Sequence, residues 1–221
     1  QVTFGGGGPG GMGNVFRYDA AISKFNAVGN ALIYSTYLGG ADNDQPHSLI
    51  VDNNDNLVIA GRTYSSNFPT SAGCYDATHN GNADIFVCKF NSTGTSLLSS
   101  TYVGGSGDDC VNISADELTI TPLDLKHNYG DDARSEVIVD NNNNIYVIAS
   151  SSSSDFPTAN PTQAALGGGQ DAVLIELNPA CTNLMWSTYL GGNSSDAGYV
   201  ISFNKSNQSI LYAGGGTLSS N

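Results

Sequence analysis

The chain has 221 residues, of which 39% are hydrophobic and 12% are charged; together with 27 glycines, this composition is typical of a turn-rich β protein. Twenty Asp and Glu residues against seven Lys and Arg give a formal net charge of −13, which disfavours nucleic acid and anionic membranes as partners. No run reaches the roughly 18 apolar residues of a membrane span, so we expect no direct insertion into a membrane.

Strand-like segments recur along the chain. Residues 1–13 begin with Val-Thr-Phe and run into glycines, which predicts a first strand. Apolar segments closed by Asn and a turn follow at 19–26, 84–91 and 171–178, and we name this strand C. A short turn leads from each into strand D, which carries the sequence Ser-Thr-Tyr-Leu/Val-Gly-Gly at 35–40, 100–105 and 187–192.

A second hairpin lies between successive copies of this pair. Its strands, A and B, are predicted at 49–52 and 57–61, with equivalents at 137–140 and 145–149 and at 201–204 and 210–214. Four short antiparallel strands per repeat are typical of a β-propeller blade. The sequence therefore predicts an all-β fold with four-stranded antiparallel blades.

The repeats amount to slightly more than three blades, which is too few to close a ring, so we expect an arc of a larger ring within a longer polypeptide. The predicted division of this single propeller segment is a partial first blade at 1–40, a second blade at 41–105, an insertion at 106–130, a third blade at 131–192 and a partial fourth blade at 193–221.

The four cysteines, Cys74, Cys88, Cys110 and Cys181, form no Cys-x-x-Cys pair and do not cluster with the three histidines, so a zinc site of standard spacing is not expected. An even number would permit two disulfides. Because Cys88 lies in an apolar strand and fits a buried thiol equally well, the sequence leaves the pairing and the redox compartment open.

Several motifs together resemble the SBBP family of bacterial β-propeller repeats. They are Tyr-Ser-Thr-Tyr-Leu-Gly-Gly at 34–40, the acidic pair Asp42 and Asp44 after it, Ile-Val-Asp-x-x-x-Asn-x-Val at 50–58, Phe-Pro-Thr at 68–70 and the strand at 84–91. The resemblance implies a part of a large secreted or cell-surface bacterial protein.

The loop lengths indicate where a binding face would lie. In an antiparallel meander the short A–B and C–D turns fall at one end of each blade, whereas the B–C links at 62–83 and 150–170 and the insertion fall at the other. Loops on a rigid scaffold usually carry recognition, so we expect any binding surface at the long-link end. Alternatively, these links only pack over the blades.

Acidic residues follow the Gly-Gly pairs at this same end, near the start of the innermost strand. Such carboxylates could bind calcium, which takes six to eight oxygen ligands, or they could accept backbone hydrogen bonds in the D–A corner. Trp186, in a D strand, could stack on a sugar ring or serve as a packing residue. The candidate binding residues are Asp42, Asp44, Asp108, Asp109, Asp131, Asp132, Asp196 and Trp186.

No residue is singled out for catalysis. His47, His79 and His127 fall at non-equivalent places in the repeat, with no nucleophile motif beside them. Paired carboxylates for glycoside cleavage are available, but nothing distinguishes two of them.

We therefore expect a noncatalytic scaffold or adhesion module that binds a protein or glycan, with no cofactor unless it is calcium. The alternatives are a propeller hydrolase or lyase acting on polysaccharide, and a structural or secretion-associated component of an envelope assembly.

Overall fold

A computed structural model describes residues 18–110 and 134–221, and every regular element in these two ranges is a β-strand. None of the described residues belongs to a helix that is long and apolar enough to cross a membrane. The strands are β1 (Ala20–Phe25), β2 (Leu32–Leu38), β3 (Asp44–Val51), β4 (Leu57–Thr63), β5 (Asp84–Phe90), β6 (Leu97–Val103), β7 (Glu136–Val139), β8 (Ile145–Ser151), β9 (Asp171–Leu177), β10 (Leu184–Leu190), β11 (Asp196–Asn204) and β12 (Asn207–Thr217).

The strands form antiparallel meanders. Two sheets have four strands, in the orders β3-β4-β5-β6 and β7-β8-β9-β10, and two have two strands, β1-β2 and β11-β12. The predicted fold class, all-β with four-stranded antiparallel blades, is confirmed, and the described sheets do not close into a ring. The strand predicted within residues 1–13 lies outside the described residues.

The middle strands are buried on both faces because each four-stranded sheet is packed between its neighbours. All seven residues of β5 are buried, as are six of the seven in β9. One apolar cluster, containing Ile22, Ile59 and Phe86, joins the β1-β2 sheet to the first four-stranded sheet. A second cluster, containing Val87 and Val147, joins the two four-stranded sheets. Burial on both faces explains why these strands are apolar throughout instead of alternating.

The innermost strands of successive sheets lie side by side. β3 contacts β7, and β7 contacts β11, so the first strand of each meander faces a common axis. This is the arrangement of propeller blades, and it brings the beginnings of three inner strands together at the long-link end.

The long links are fastened to their own sheets by aromatic residues. Phe68 stacks on Phe86 with ring centroids 4.6 Å apart, and the Tyr102 hydroxyl donates a hydrogen bond to the Ser65 carbonyl oxygen at 2.7 Å. In the next sheet the Tyr189 hydroxyl donates to the Ser153 carbonyl oxygen at 2.5 Å. These repeated contacts hold the long-link end as a firm surface around the inner strands.

Candidate functional site: an axial pocket

Each Gly-Gly corner is enclosed by two aspartates. The first glycine lies between the aspartate at the start of strand C and a second aspartate further along the chain. This second aspartate begins β3 or β11 in two cases, and in the third, Asp109, it is bridged to Ser151 at the end of β8. The three pairs are Asp19 and Asp44 at Gly39, Asp84 and Asp109 at Gly104, and Asp171 and Asp196 at Gly191. A Cβ atom at Gly104 would lie 2.4 Å from Asp84 Oδ1 and 2.8 Å from Asp109 Oδ2, so the corner requires glycine.

The second aspartate of each pair makes the same hydrogen bonds in every sheet. In all three cases Oδ2 accepts the amide of the second glycine at 2.7 Å. The same oxygen accepts a serine hydroxyl, from Ser65 at 2.9 Å, Ser153 at 2.9 Å and Ser219 at 2.6 Å. Each carboxylate thus ties the end of one sheet to the inner strand and long link of the next.

The electrostatic environment differs between these equivalent carboxylates. Burial raises the pKa of Asp44, and it raises the pKa of Asp109 to about 7 despite hydrogen bonds from Ser151, Gly105 and Ser153. At Asp196 burial acts in the same direction, but hydrogen bonds from Ser219, Thr217 and Gly192 outweigh it and lower the pKa. Asp109 therefore keeps its proton to a higher pH than an ordinary carboxyl does.

The other predicted site residues do not join these carboxylates in one cluster. Asp42 and Asp108 are partly buried, and their backbone amides donate to the Ser65 and Ser152 hydroxyls at 2.8 and 3.0 Å. Asp131 and Asp132 lie outside the described residues. Within 18–110 and 134–221, no group of three or more His, Cys, Asp or Glu residues is arranged to hold a metal ion.

Trp186 is partly buried in β10 and packs against an apolar cluster that contains Ile148, Leu174 and Ile201. This contact places the indole between the last two described sheets, away from the axis.

A site that the sequence did not indicate lies where the inner strands begin. The register of β3 with β4 shifts at His47, between Pro46 and Ser48, and the register of β11 with β12 shifts at Tyr199, between Gly198 and Val200. Ser135 occupies the equivalent place just before β7. Such bulges often redirect a side chain beside a functional site.

These three positions and their neighbours line a cavity of about 310 Å³, which we call the axial pocket. The volume lies at the lower end of the range for ligand pockets, roughly 300–1,000 Å³. Its lining is Gln45, Pro46, His47, Ser48, Arg134, Ser135, Glu136, Tyr199 and Val200.

Polar side chains connect the inner strands around the pocket. His47 Nδ1 lies 3.2 Å from Cys110 Sγ and 3.2 Å from Ser135 Oγ. Ser48 Oγ accepts the Val137 amide at 3.2 Å, and at the equivalent position Glu136 Oε2 accepts the Ile201 amide at 2.6 Å. The pocket is therefore held by hydrogen bonds between sheets, which keeps its lining in place before any ligand arrives.

The pocket lining offers polar hydrogen-bonding groups together with one guanidinium group, from Arg134, and one carboxyl group, from Glu136. Gln45 Oε1 is buried and has no hydrogen-bond partner within residues 18–110 and 134–221, which leaves an unsatisfied acceptor beside the pocket. Burial raises the pKa of Cys110 to about 12, so its thiol stays protonated at neutral pH and is a poor nucleophile. The arrangement suits recognition of a small polar group.

A four-stranded antiparallel meander repeated about an axis defines this chain as a β-propeller repeat protein. Residues 33–69, which span β2, β3, β4 and the start of the first long link, match the family model SBBP, described as a beta-propeller repeat. The resemblance found in the sequence is confirmed by this match. A search of curated proteins found no match to the chain.

Proposed function

We propose that this β-propeller segment is a noncatalytic binding module of an extracellular or cell-surface protein, and that its axial pocket and long-link end bind a protein or a glycan. The single observation that carries the proposal is the contrast between the corners and the pocket. The Gly-Gly corners carry the same residue types at all three places. The pocket is built on equivalent backbone positions, but its side chains differ from sheet to sheet.

The bulge position holds His47 in β3 and Tyr199 in β11, and Ser135 takes the equivalent place just before β7. The position after it holds Ser48, Glu136 and Val200. A residue required only by the fold recurs wherever the same backbone geometry recurs, as the corner aspartates do. Different side chains on the same scaffold position give the pocket a specific pattern of donors and acceptors. Such a pattern is what selective binding requires.

The size and polarity of the pocket limit what it accepts. A cavity of about 310 Å³ accommodates one sugar ring or one polar amino-acid side chain, with the remainder of the ligand on the long-link surface. Glu136 is the one carboxylic acid among the described lining residues, and its Oε2 is engaged by the Ile201 amide. Glycoside cleavage requires two carboxyl groups at defined separation, so this lining favours binding over hydrolysis.

The location is part of the proposal. The SBBP match supports it, because SBBP repeats occur in bacterial surface proteins. Exposure at the cell surface can be tested by adding an antibody against the chain to intact cells, with a cytoplasmic protein as the negative control. Labelling confined to permeabilised cells would overturn this part of the proposal.

The binding proposal is tested with a printed array of bacterial and host glycans and surface proteins, followed by calorimetric titration of each hit. Gln45→Ala and His47→Ala should weaken binding at least about tenfold, the loss expected for removing a buried polar contact. Thr93→Ala is the matched control, since Thr93 is exposed in a short turn at the opposite end. No binding to any probe, or equal losses in all three variants, would contradict the proposal.

A further inference from the structure

The first long link brings Cys74 next to the following sheet. The residues of this link lie along β6. The Ser71 amide donates to the Ser100 carbonyl oxygen at 3.0 Å, and the Thr101 hydroxyl donates to the Asp76 carbonyl oxygen at 3.0 Å. The amide of Tyr75, directly after Cys74, donates to the Cys181 carbonyl oxygen at 2.7 Å. Two cysteines far apart in the chain therefore lie on adjacent, hydrogen-bonded segments.

The Cys181 side chain is directed back towards the sheet that carries Cys74. Cys181 belongs to the turn between β9 and β10, and the Ser99 hydroxyl of β6 donates to its Sγ at 3.4 Å. Burial raises the pKa of Cys181, and the neighbouring Cys74 thiol raises it further.

The two cysteines lie on neighbouring stretches of backbone. Cys74 directly precedes Tyr75, whose amide is bonded to the Cys181 carbonyl oxygen at 2.7 Å. A disulfide joins Cα atoms about 4.4–6.8 Å apart, which requires this kind of backbone proximity. The Cys74 thiol makes a weak bond to the Asp76 carbonyl oxygen at 3.3 Å, which the disulfide would replace.

The other two cysteines have different surroundings. Cys88 packs in the apolar cluster with Ile22 and Phe86, between β5 and the preceding sheet, whereas Cys181 belongs to the cluster on the opposite side of the sheet. Burial raises the pKa of Cys88, and the Cys181 thiol raises it further, so Cys88 is the competing partner for Cys181. Cys110 lies beside His47 at the axis. Cys74 is partly exposed, whereas Cys88, Cys110 and Cys181 are buried.

We propose that Cys74 and Cys181 form a disulfide that fastens the first long link to the next sheet, with a small-molecule or protein disulfide as the oxidant. The Cys74 thiolate attacks the oxidant's disulfide, which releases one thiol and leaves a mixed disulfide on Cys74. Cys181 then loses its proton and attacks Cys74 Sγ, which releases the second thiol. The two cysteines are oxidised, and the oxidant is reduced to two thiols that carry the two protons.

The bond would form after export to an oxidising compartment and would stay open in a reducing cytoplasm. Because it closes a long loop between two sheets, it should restrict the unfolded chain and stabilise the sheet junction. The inference does not depend on the axial pocket.

The test uses the full chain, equilibrated with either reduced or oxidised glutathione, then blocked with N-ethylmaleimide and digested for peptide mass mapping. We expect the oxidised sample to contain a linked peptide pair with Cys74 and Cys181, lighter than the two separate peptides by two hydrogen atoms. The melting temperature should be several degrees above that of the reduced sample. Cys74→Ser and Cys181→Ser should abolish the linked pair and the shift in melting temperature, whereas Cys88→Ala should retain both.

Three outcomes would overturn the inference in the wild-type chain itself. The first is four alkylated cysteines after oxidation. The second is glutathione that remains on Cys74 without transfer to Cys181. The third is a linked pair that joins Cys181 to Cys88.

Discussion

The Asp109 carboxylate accepts a hydrogen bond from the Gly105 amide, with 2.7 Å between Oδ2 and N. This bond joins the end of one sheet to the beginning of the next inner strand, and its equivalents occur at Asp44 and Asp196. The repeated carboxylates thus act as joints between blades. The axial pocket, in contrast, is lined by residues that differ from blade to blade.

The first prediction concerns pH. The folded-state pKa of Asp109 is raised to about 7 by burial, above the ordinary value of 3.8. Between these values the Asp109 carboxyl binds a proton in the folded chain but not in the unfolded chain, so its contribution to stability is complete below about pH 4 and is lost as the pH rises through 7. Asp109→Asn should remove this contribution, which is about 2–4 kcal/mol. The measurement is urea unfolding at pH 5 and pH 8.

Asp196→Asn is the matched control for this prediction. Its carboxyl has a lowered pKa, so its contribution is complete above the ordinary value and is lost only as the pH falls below it. Asp196→Asn should lower the free energy of unfolding at both pH 5 and pH 8. The difference in that free energy between the two pH values should stay as it is in the wild type. If Asp109→Asn shows the same change in unfolding free energy between pH 5 and pH 8 as the wild type, the pH dependence does not come from Asp109.

The second prediction concerns the first glycine of the corner. Gly104→Ala would place a Cβ atom 2.4 Å from Asp84 Oδ1 and should cost about 1–3 kcal/mol of unfolding free energy. Gly169→Ala is the control, because its nearest neighbour would be Ser195 Oγ at 3.7 Å, an ordinary contact. Denaturant unfolding of both variants makes the comparison. Equal stabilities would mean that the corner is looser than the distances indicate.

The third prediction concerns a buried ion pair. Lys89 Nζ lies 3.2 Å from Asp52 Oδ2 and donates to the Pro179 carbonyl oxygen at 2.8 Å, and both side chains are almost fully buried. Lys89→Ala would leave the carboxylate buried without its partner, which typically costs about 3–5 kcal/mol.

Lys24, the equivalent residue of the preceding sheet, provides the comparison. It donates to the Ser92 carbonyl oxygen at 2.9 Å but is exposed, so Lys24→Ala should cost less than about 1 kcal/mol. Thermal and urea unfolding of the two variants under one buffer condition would measure the difference. Similar losses would show that burial is not what makes the Lys89 contact important.

The fourth prediction concerns the hydroxyl groups that fasten the long links. Tyr102→Phe removes the bond to the Ser65 carbonyl oxygen while keeping the ring against Phe68. We expect a loss of about 1–2 kcal/mol, since a buried acceptor loses its strongest donor. Faster amide exchange in residues 65–69 would locate the effect in the link. Unchanged exchange there would contradict the fastening role.

The strands of each sheet were predictable because the same apolar segments, turns and Gly-Gly ends recur. Two inner strands were predicted too short, because their first halves contain no apolar run. β3 begins at Asp44 and not at residue 49, and β11 begins at Asp196 and not at residue 201. The corner aspartates were visible as a repeated feature, but their pairing with the aspartate of strand C depends on contacts between sheets. A constant spacing from Asp19 to Asp44, Asp84 to Asp109 and Asp171 to Asp196 was the available signal.

The axial pocket could not be predicted by looking for repetition. Its positions are defined by a one-residue shift of register, which leaves no mark in the composition, and its side chains differ from sheet to sheet. The pairing of Asp109 and Cys110 with β8 shows that they hold the place of Asp44 and Gln45 in the preceding sheet. That equivalence became visible only through the backbone hydrogen bonds.

The central claim is that the corner and link residues stabilise the fold, whereas the pocket residues bind the ligand. Its most direct test measures both the ligand dissociation constant and the urea midpoint for one set of variants. The set contains Gln45→Ala at the pocket, with Gly104→Ala and Tyr102→Phe at the joints. The account predicts weaker binding with a nearly unchanged midpoint for the first variant, and lower midpoints with nearly unchanged binding for the other two. A pocket variant that lowers the midpoint and leaves binding intact would contradict it.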